Sequence, residues 1–211
     1  CAGFVTALDI GAKYIRADER YRYVLVLGGY AMSKFLNLED KKTVTLFADG
    51  AGAVVLRAEE DGSTKRGFLG SELRTMGQYT EWMGIYGGGT HLPVTPEVLT
   101  RHEHQLQFVK KFPKELNPET WADMAQKLCA RIGATPLEVQ HFFITQINVN
   151  SIWETLDLLG VPRERATTVM HHFGYTGSAC IPMAFNEAWE QGRVHAGDLC
   201  MFIGSGGGLA F

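Results

Sequence analysis

From about residue 140 onward, short apolar strands alternate with helical patterns, and this alternation restricts the fold more than any other feature of the chain. Strands that alternate with helices build α/β layers. Phe142-Phe143-Ile144 reads as a buried strand. Ile152, Leu156 and Leu159 then recur at helical spacing, and Gly160 and Pro162 end that helix. A short strand near Thr167–Met170 leads to a helix starting around Ser178, and Leu199–Ile203 is the final strand.

The earlier part fits the same class. Phe4, Ala7, Leu8, Ala12 and Ile15 give a helix over residues 1–17, with Gly3 and Gly11 where close packing could need them. Tyr23–Leu27 is an apolar strand ended by Gly28-Gly29. Thr43–Leu56 has strand character interrupted by Asp49-Gly50-Ala51-Gly52-Ala53, which predicts two strands meeting at a tight bend. These small residues are expected to let sheets or helices approach, with no catalytic role. Residues 57–66 are charged and turn-like, and 75–96 read as loop. Two amphipathic helices are expected next, one over 97–112 and one carrying Trp121, Met124, Leu128 and Ile132, with Asn117 as N-cap and Pro118 as its first residue.

Composition excludes several functions. With a net charge of −3 and scattered basic residues, the 211-residue chain offers no basic stripe for nucleic acid. No apolar run approaches the roughly 20 residues that span a bilayer, and no signal peptide is visible. The four cysteines lack CxxC or Cys/His ligand spacing, so no metal is expected and a reduced, cytoplasmic protein is the default.

One cysteine sits where chemistry could use it. Cys1 precedes a helical pattern, and a helix N-terminus favours the thiolate over the thiol. A small buried residue at a helix start is the bland alternative. Gly206-Gly207-Gly208 forms a turn where backbone could approach a reacting carbonyl unhindered, or simply pack.

Four stretches in series resemble the β-ketoacyl-acyl-carrier-protein synthases III of the thiolase superfamily: Cys1-Ala2-Gly3-Phe4, Leu46–Leu56 around Asp49-Gly50-Ala51-Gly52, Gly174 to Pro182, and Gly206-Gly207-Gly208. The resemblance covers essentially the whole chain. It implies a thiolase-like layered α-β-α-β-α fold. Residues 1–62 would be the second part of the N-terminal half, and 63–211 the C-terminal half with its last strand incomplete. It further implies that Cys1 is the acyl-carrying nucleophile, with an oxyanion hole from the backbone N–H groups of Cys1 and Gly207. The substrate would be an acyl-CoA or acyl-carrier-protein thioester, with no permanently bound cofactor. Lys41 and Asn148 fall on the expected coenzyme A or carrier side.

The chain also departs from that family. Where the family carries histidine in His-Gln-x-Asn, Thr145-Gln146-Ile147-Asn148 stands here. Where it carries asparagine in Gly-Asn-Thr-Ser, this chain has Gly174-Tyr175-Thr176-Gly177-Ser178. In the family those two side chains polarise the enolate oxygen during malonyl decarboxylation. Thr145 and Tyr175 can donate hydrogen bonds, yet neither is a general base near neutral pH. Acyl transfer is compatible with these replacements; decarboxylative condensation is not favoured by them. Lys41 and Asn150 stand where the family often has arginines. His171 and His172, on the strand pattern, are expected to point to opposite faces with at most one inward, and His91, His102, His104, His141 and His195 read as surface positions.

Two further hypotheses compete with an acyltransferase. A catalytically impaired homologue could serve as a structural subunit. An N-terminal nucleophile hydrolase would use Cys1 with its own amine, but there the nucleophile begins a strand, whereas helical spacing follows Cys1. Neither chain end reads as a domain edge. A preceding N-terminal segment is therefore expected, and the resemblance implies a homodimer and an acyl carrier protein as partners. Residues 1–211 alone are expected not to fold, because the first helix would expose Phe4, Leu8 and Ile15.

Overall fold

The computed structural model describes residues 1–59 and 66–211. In chain order the helices are α1 (Gly3–Ala17), α2 (Lys41–Val44), α3 (Pro96–Thr100), α4 (Leu116–Ile132), α5 (Val149–Leu159), α6 (Met170–Phe173) and α7 (Cys180–Glu190). The strands are β1 (Tyr23–Ala31), β2 (Asp49–Arg57), β3 (Met83–Gly84), β4 (Gln107–Phe108), β5 (His141–Ile144) and β6 (Cys200–Ile203). The expected boundary at 62–63 lies outside the described residues.

Layering follows from the alternation of β5. Phe142 and Ile144 point to one side, into a core with Trp121, Ile152 and Leu156 from α4 and α5. Phe143 points to the other side, into a second core with Phe4 of α1 and Ile181 and Ala184 of α7. β6 pairs in parallel with β5, as the intervening helices require. On the far side of α1 and α7 lies the antiparallel pair β1–β2, registered from Tyr23↔Arg57 to Ala31↔Asp49. The described order is helix, sheet, helix, sheet, the α/β thiolase-like arrangement. No helix is long and apolar enough to cross a membrane among the described residues.

Several sequence expectations change here. β1 does not end at Gly28-Gly29 but runs through them, paired with Gly52 and Ala51; residue 28 is glycine because a side chain there would come within 2.3 Å of the Ser178 carbonyl oxygen. Likewise Asp49–Ala53 is no bend. It opens one continuous strand, on which Gly52 admits Pro182 of α7, where a Cβ would lie 2.9 Å from the proline ring. The predicted close-packing role of these small residues stands. The part of the pattern at 43–48 is not strand: α2 occupies 41–44.

The helix expected over 97–112 stops at Thr100. His102 takes a positive φ of 57°, and β4 then pairs with β3. α4 begins before Asn117, so Pro118 sits within its first turn and Asn117 is not the cap. The strand near 167–170 is replaced by a single bridge, Phe142↔Ala166, and by α6.

Phe4 is 1% exposed, contrary to the expectation that α1 would leave it bare. Burying a phenylalanine contributes about 1.5–3 kcal/mol. Leu8 and Ile15 are half-buried. Apolar exposure falls instead on the outward face of β1–β2, at Tyr23, Leu25, Leu27 and Val55.

Candidate active site

Cys1 lies directly ahead of α1, whose N-cap is Ala2 and which carries no side-chain cap, so its first backbone N–H groups point toward this end. The turn after β6 closes over the same place. A Cβ at Gly204 would meet the Ala2 backbone at 3.2 Å, and one at Gly206 would meet the Ala2 nitrogen at 3.1 Å and the Cys1 Cβ at 3.5 Å. Glycine is required for that approach. Gly206 N–H donates to the Ala210 carbonyl at 2.9 Å. Gly207 N–H has no acceptor among the described residues, so it has a hydrogen bond left to give.

Thr145 ends β5 beside this turn and is buried. Its backbone N–H pairs with the Ile203 carbonyl at 2.9 Å, and its Oγ1 accepts from Ser205 N–H at 2.8 Å. The hydroxyl thereby fixes the glycine turn. Gln146, also buried, clamps the neighbouring segment: Nε2 donates to the Ile144 and Thr167 carbonyls at 2.9 and 3.1 Å, while Oε1 accepts from Val169 N–H at 2.9 Å.

Tyr175 is 2% exposed, and its backbone is held by Leu46 and Ala48 through bonds of 2.9 Å. Its ring packs on Phe47 at 5.4 Å between centroids and on Tyr30 at 6.3 Å. Burial is the first cause that pushes the Tyr175 phenol well above its ordinary range. Cys180, which opens α7, is buried too, and burial pushes its thiol up to about 11, so it stays protonated at neutral pH.

Sequence reasoning missed Tyr30. Its Oη lies 4.0 Å from the Cys1 sulfur, as a hydrogen-bond acceptor from the thiol. Ending the strand at Gly28-Gly29 removed it from consideration; period-two alternation continued through the glycines would have placed Tyr30 on the same inward face as Val24 and Val26.

Other predicted residues lie elsewhere. Lys41 is exposed at the first position of α2. Asn148 is exposed and caps α5, its Oδ1 accepting from Asn150 N–H at 3.0 Å. His171 and His172 do not straddle a strand. They sit side by side on α6 with ring centroids 4.1 Å apart and border a surface groove with Glu187 and Arg193. His141 is not a free surface group, since its Nε2 lies 3.1 Å from the Asp198 carboxylate, and His104 is half-buried. All four cysteines are free thiols.

Residues 1–77 match the family model described as 3-oxoacyl-[acyl-carrier-protein (ACP)] synthase III, and residues 129–211 match the model for the C-terminal part of the same family. The chain is 30% identical over 211 residues to the β-ketoacyl-[acyl-carrier-protein] synthase III of Natranaerobius thermophilus, covering all of this chain and 64% of the relative. It is 35% identical over 219 residues to the protein of that name from Rhodobacter capsulatus, covering 63% of it. In structure it resembles the 3-oxoacyl-[acyl-carrier-protein] synthase III of Aquifex aeolicus VF5, with a TM-score of 0.84 and 29% identity over all of this chain and 62% of the other. The chain thus spans less than two thirds of the length of these relatives.

Proposed function

Because the chain belongs to the 3-oxoacyl-[acyl-carrier-protein] synthase III family of the thiolase superfamily, we propose that it is an acyltransferase that takes an acyl group from a coenzyme A or carrier-protein thioester onto Cys1 and passes it to an acceptor without efficient malonyl decarboxylation. The observation that carries this reading is the meeting of Cys1 and the glycine turn, with Gly206 against the Cys1 backbone and Gly207 N–H without an acceptor among the described residues. The Cys1 sulfur attacks the thioester carbonyl, its S–C bond forms, and charge collects on the carbonyl oxygen. Gly207 N–H stabilises that charge, which develops only in the transition state. The carrier S–C bond then breaks, and the carrier leaves as its thiol. Lys41 and Asn148 belong on the side where coenzyme A or the carrier approaches. The working assembly is a cytoplasmic homodimer in which residues 1–62 and 63–211 belong to the two thiolase-like halves.

Decarboxylation is set aside because of what occupies the two polarising positions. The Thr145 hydroxyl is committed to the turn, and Tyr175 is packed in a ring cluster and un-ionised at neutral pH. The test is intact-protein mass spectrometry after incubation with an acyl-coenzyme A. The parent is expected to gain one acyl mass and Cys1→Ala none. Equal uptake by both proteins refutes the nucleophile, and no uptake by the parent favours a catalytically silent structural subunit.

A further inference from the structure

We propose that Tyr30 is a catalytic residue of this site, its hydroxyl hydrogen-bonding the Cys1 sulfur and passing a proton between that sulfur and the sulfur of the thioester carrier. This rests on the acyl-Cys1 reading above and assigns it a proton path, which the Thr145 and Tyr175 positions do not supply.

Placement is the first ground. Tyr30 Oη is 4.0 Å from Cys1 Sγ, the one side-chain hydrogen bond of that sulfur among the described residues. Contacts to sulfur are long, and catalytic hydrogen bonds commonly tighten only once substrate is bound. The second ground is that the ring is fixed. Its register in the β1–β2 ladder opposes Gly50, and Ser178 Oγ holds the preceding Gly29 carbonyl at 2.7 Å. Asp49 accepts from Ser33 N–H at 2.8 Å just beyond, which anchors the chain leaving the strand.

Most tellingly, the ring lies directly on Gly177. A Cβ at that residue would come within 2.4 Å of two ring carbons, and Gly177 has a φ of 52°. Two positions 147 residues apart, one large and one without a side chain, fit each other so that a phenol reaches the thiol.

The chemistry suits a neutral hydroxyl. A phenol is donor and acceptor at once, and burial, followed by the nearby Cys180 and Asp49, pushes Tyr30 further from ionisation. As the Cys1–acyl bond forms, the Cys1 S–H proton moves to the Tyr30 oxygen and the Tyr30 O–H proton moves to the departing carrier sulfur. The carrier S–C bond breaks, one thiol replaces another, and the phenol is neutral before and after. A phenol held in this way replaces an imidazole relay without ever carrying charge.

Time-resolved acyl uptake from acyl-coenzyme A, followed by intact mass across pH 6 to 9 (a range of about three units around the ordinary thiol and imidazole values), tests this with Tyr30→Phe. That variant keeps the ring and its seat on Gly177. Its uptake is expected to slow about 100-fold at neutral pH and to rise with pH more steeply than the parent's, since it then depends on pre-formed thiolate. Gly177→Ala, which retains the hydroxyl but displaces the ring, should show the same steepening. Unchanged uptake by Tyr30→Phe overturns the proposal, and so does slowing with the parent's pH dependence, which is a structural effect. If the parent acylates at Cys1 and Tyr30→Phe matches it, only Tyr30 fails. If Cys1→Ala gains the same mass as the parent, the acyl-Cys1 reading fails first.

Discussion

Two edges of the candidate site use their hydrogen-bonding groups in opposite ways. At the turn after β6, backbone does the positioning: Gly206 spends its N–H on Ala210, and Gly207 N–H has no acceptor among the described residues. At the Thr145–Tyr175 edge, the fold engages the Thr145 hydroxyl and the Tyr175 ring. Thr145 Oγ1 satisfies Ser205 N–H, and Tyr175 completes an aromatic cluster with Phe47 and Tyr30. The difference separates two chemistries that one site could combine. Stabilising an acyl oxyanion needs only backbone donors in place. Polarising an enolate needs side chains that are free to face it, and Thr145 has given its hydroxyl to the turn.

The strongest way to break that comparison is to look for the chemistry the second edge should lack. Labelled carbon dioxide release from a malonyl thioester is expected to fall below the roughly 1–1,000 per second typical of enzymes. Rates within that range would refute it. Thr145→His with Tyr175→Asn should raise release by about 100-fold, the scale of a positioned acid–base group. Each change alone should do much less, because such groups act as a unit. A histidine at 145 must also enter a position 1% exposed and surrender the bond to Ser205, so the pair is to be compared per folded molecule.

A smaller effect sharpens the comparison from the structural side. Thr145→Val leaves Ser205 N–H buried without its acceptor, and an unsatisfied buried donor costs about 1–3 kcal/mol. Urea unfolding should register that loss, and acyl uptake should fall modestly with it, because the turn that carries Gly207 loses a bond that pins it. Should uptake collapse with no loss of stability, Thr145 touches substrate and the assignment of the second edge is wrong.

The sequence disclosed these edges unequally, for physical reasons. The placement of Cys1 ahead of a helix and the turn at the triple glycine were legible because both are local features: a helical repeat, and a backbone stripped of side chains. α1 and α5 were legible from their helical periodicity and β5 from its short, wholly apolar run, and Gly160 ends α5 with a positive φ of 67°. Residues 97–112 misled because Val98 and Leu106, spaced as on a helix, are buried separately, with Leu106 N–H paired to the Phe35 carbonyl. Nothing local reports that pairing. Tyr30 was hidden by the preceding Gly28-Gly29, and the reason for Gly28 lies in Ser178, far along the chain. The roles of Thr145 and Gln146 likewise depend on partners at 203–205 and 167–169, which no window of sequence brings together.

The smallest effect concerns how α1, and with it Cys1, is held in place. Asp9 is buried on α1, where its carboxylate accepts from Lys13 Nζ at 2.6 Å and from Ser71 Oγ at 2.5 Å, tying the helix to the segment that leads to β3. Burial pushes the Asp9 carboxyl up, but the bonds from Lys13 and Ser71 and the Lys13 charge outweigh it and hold the group below its usual range. A carboxyl with a depressed folded value contributes stability above its unfolded value, near 4, and loses it as pH falls through the folded value. Lys13 is mostly exposed, so solvent screens its part and the contribution is modest. Urea unfolding of the parent and of Asp9→Asn across the acid range isolates it, because every other titrating group is common to both proteins. The parent's advantage should hold constant above about pH 5 and shrink below about pH 4. An advantage that stays level through that range would mean that Asp9 anchors α1 by shape rather than by charge.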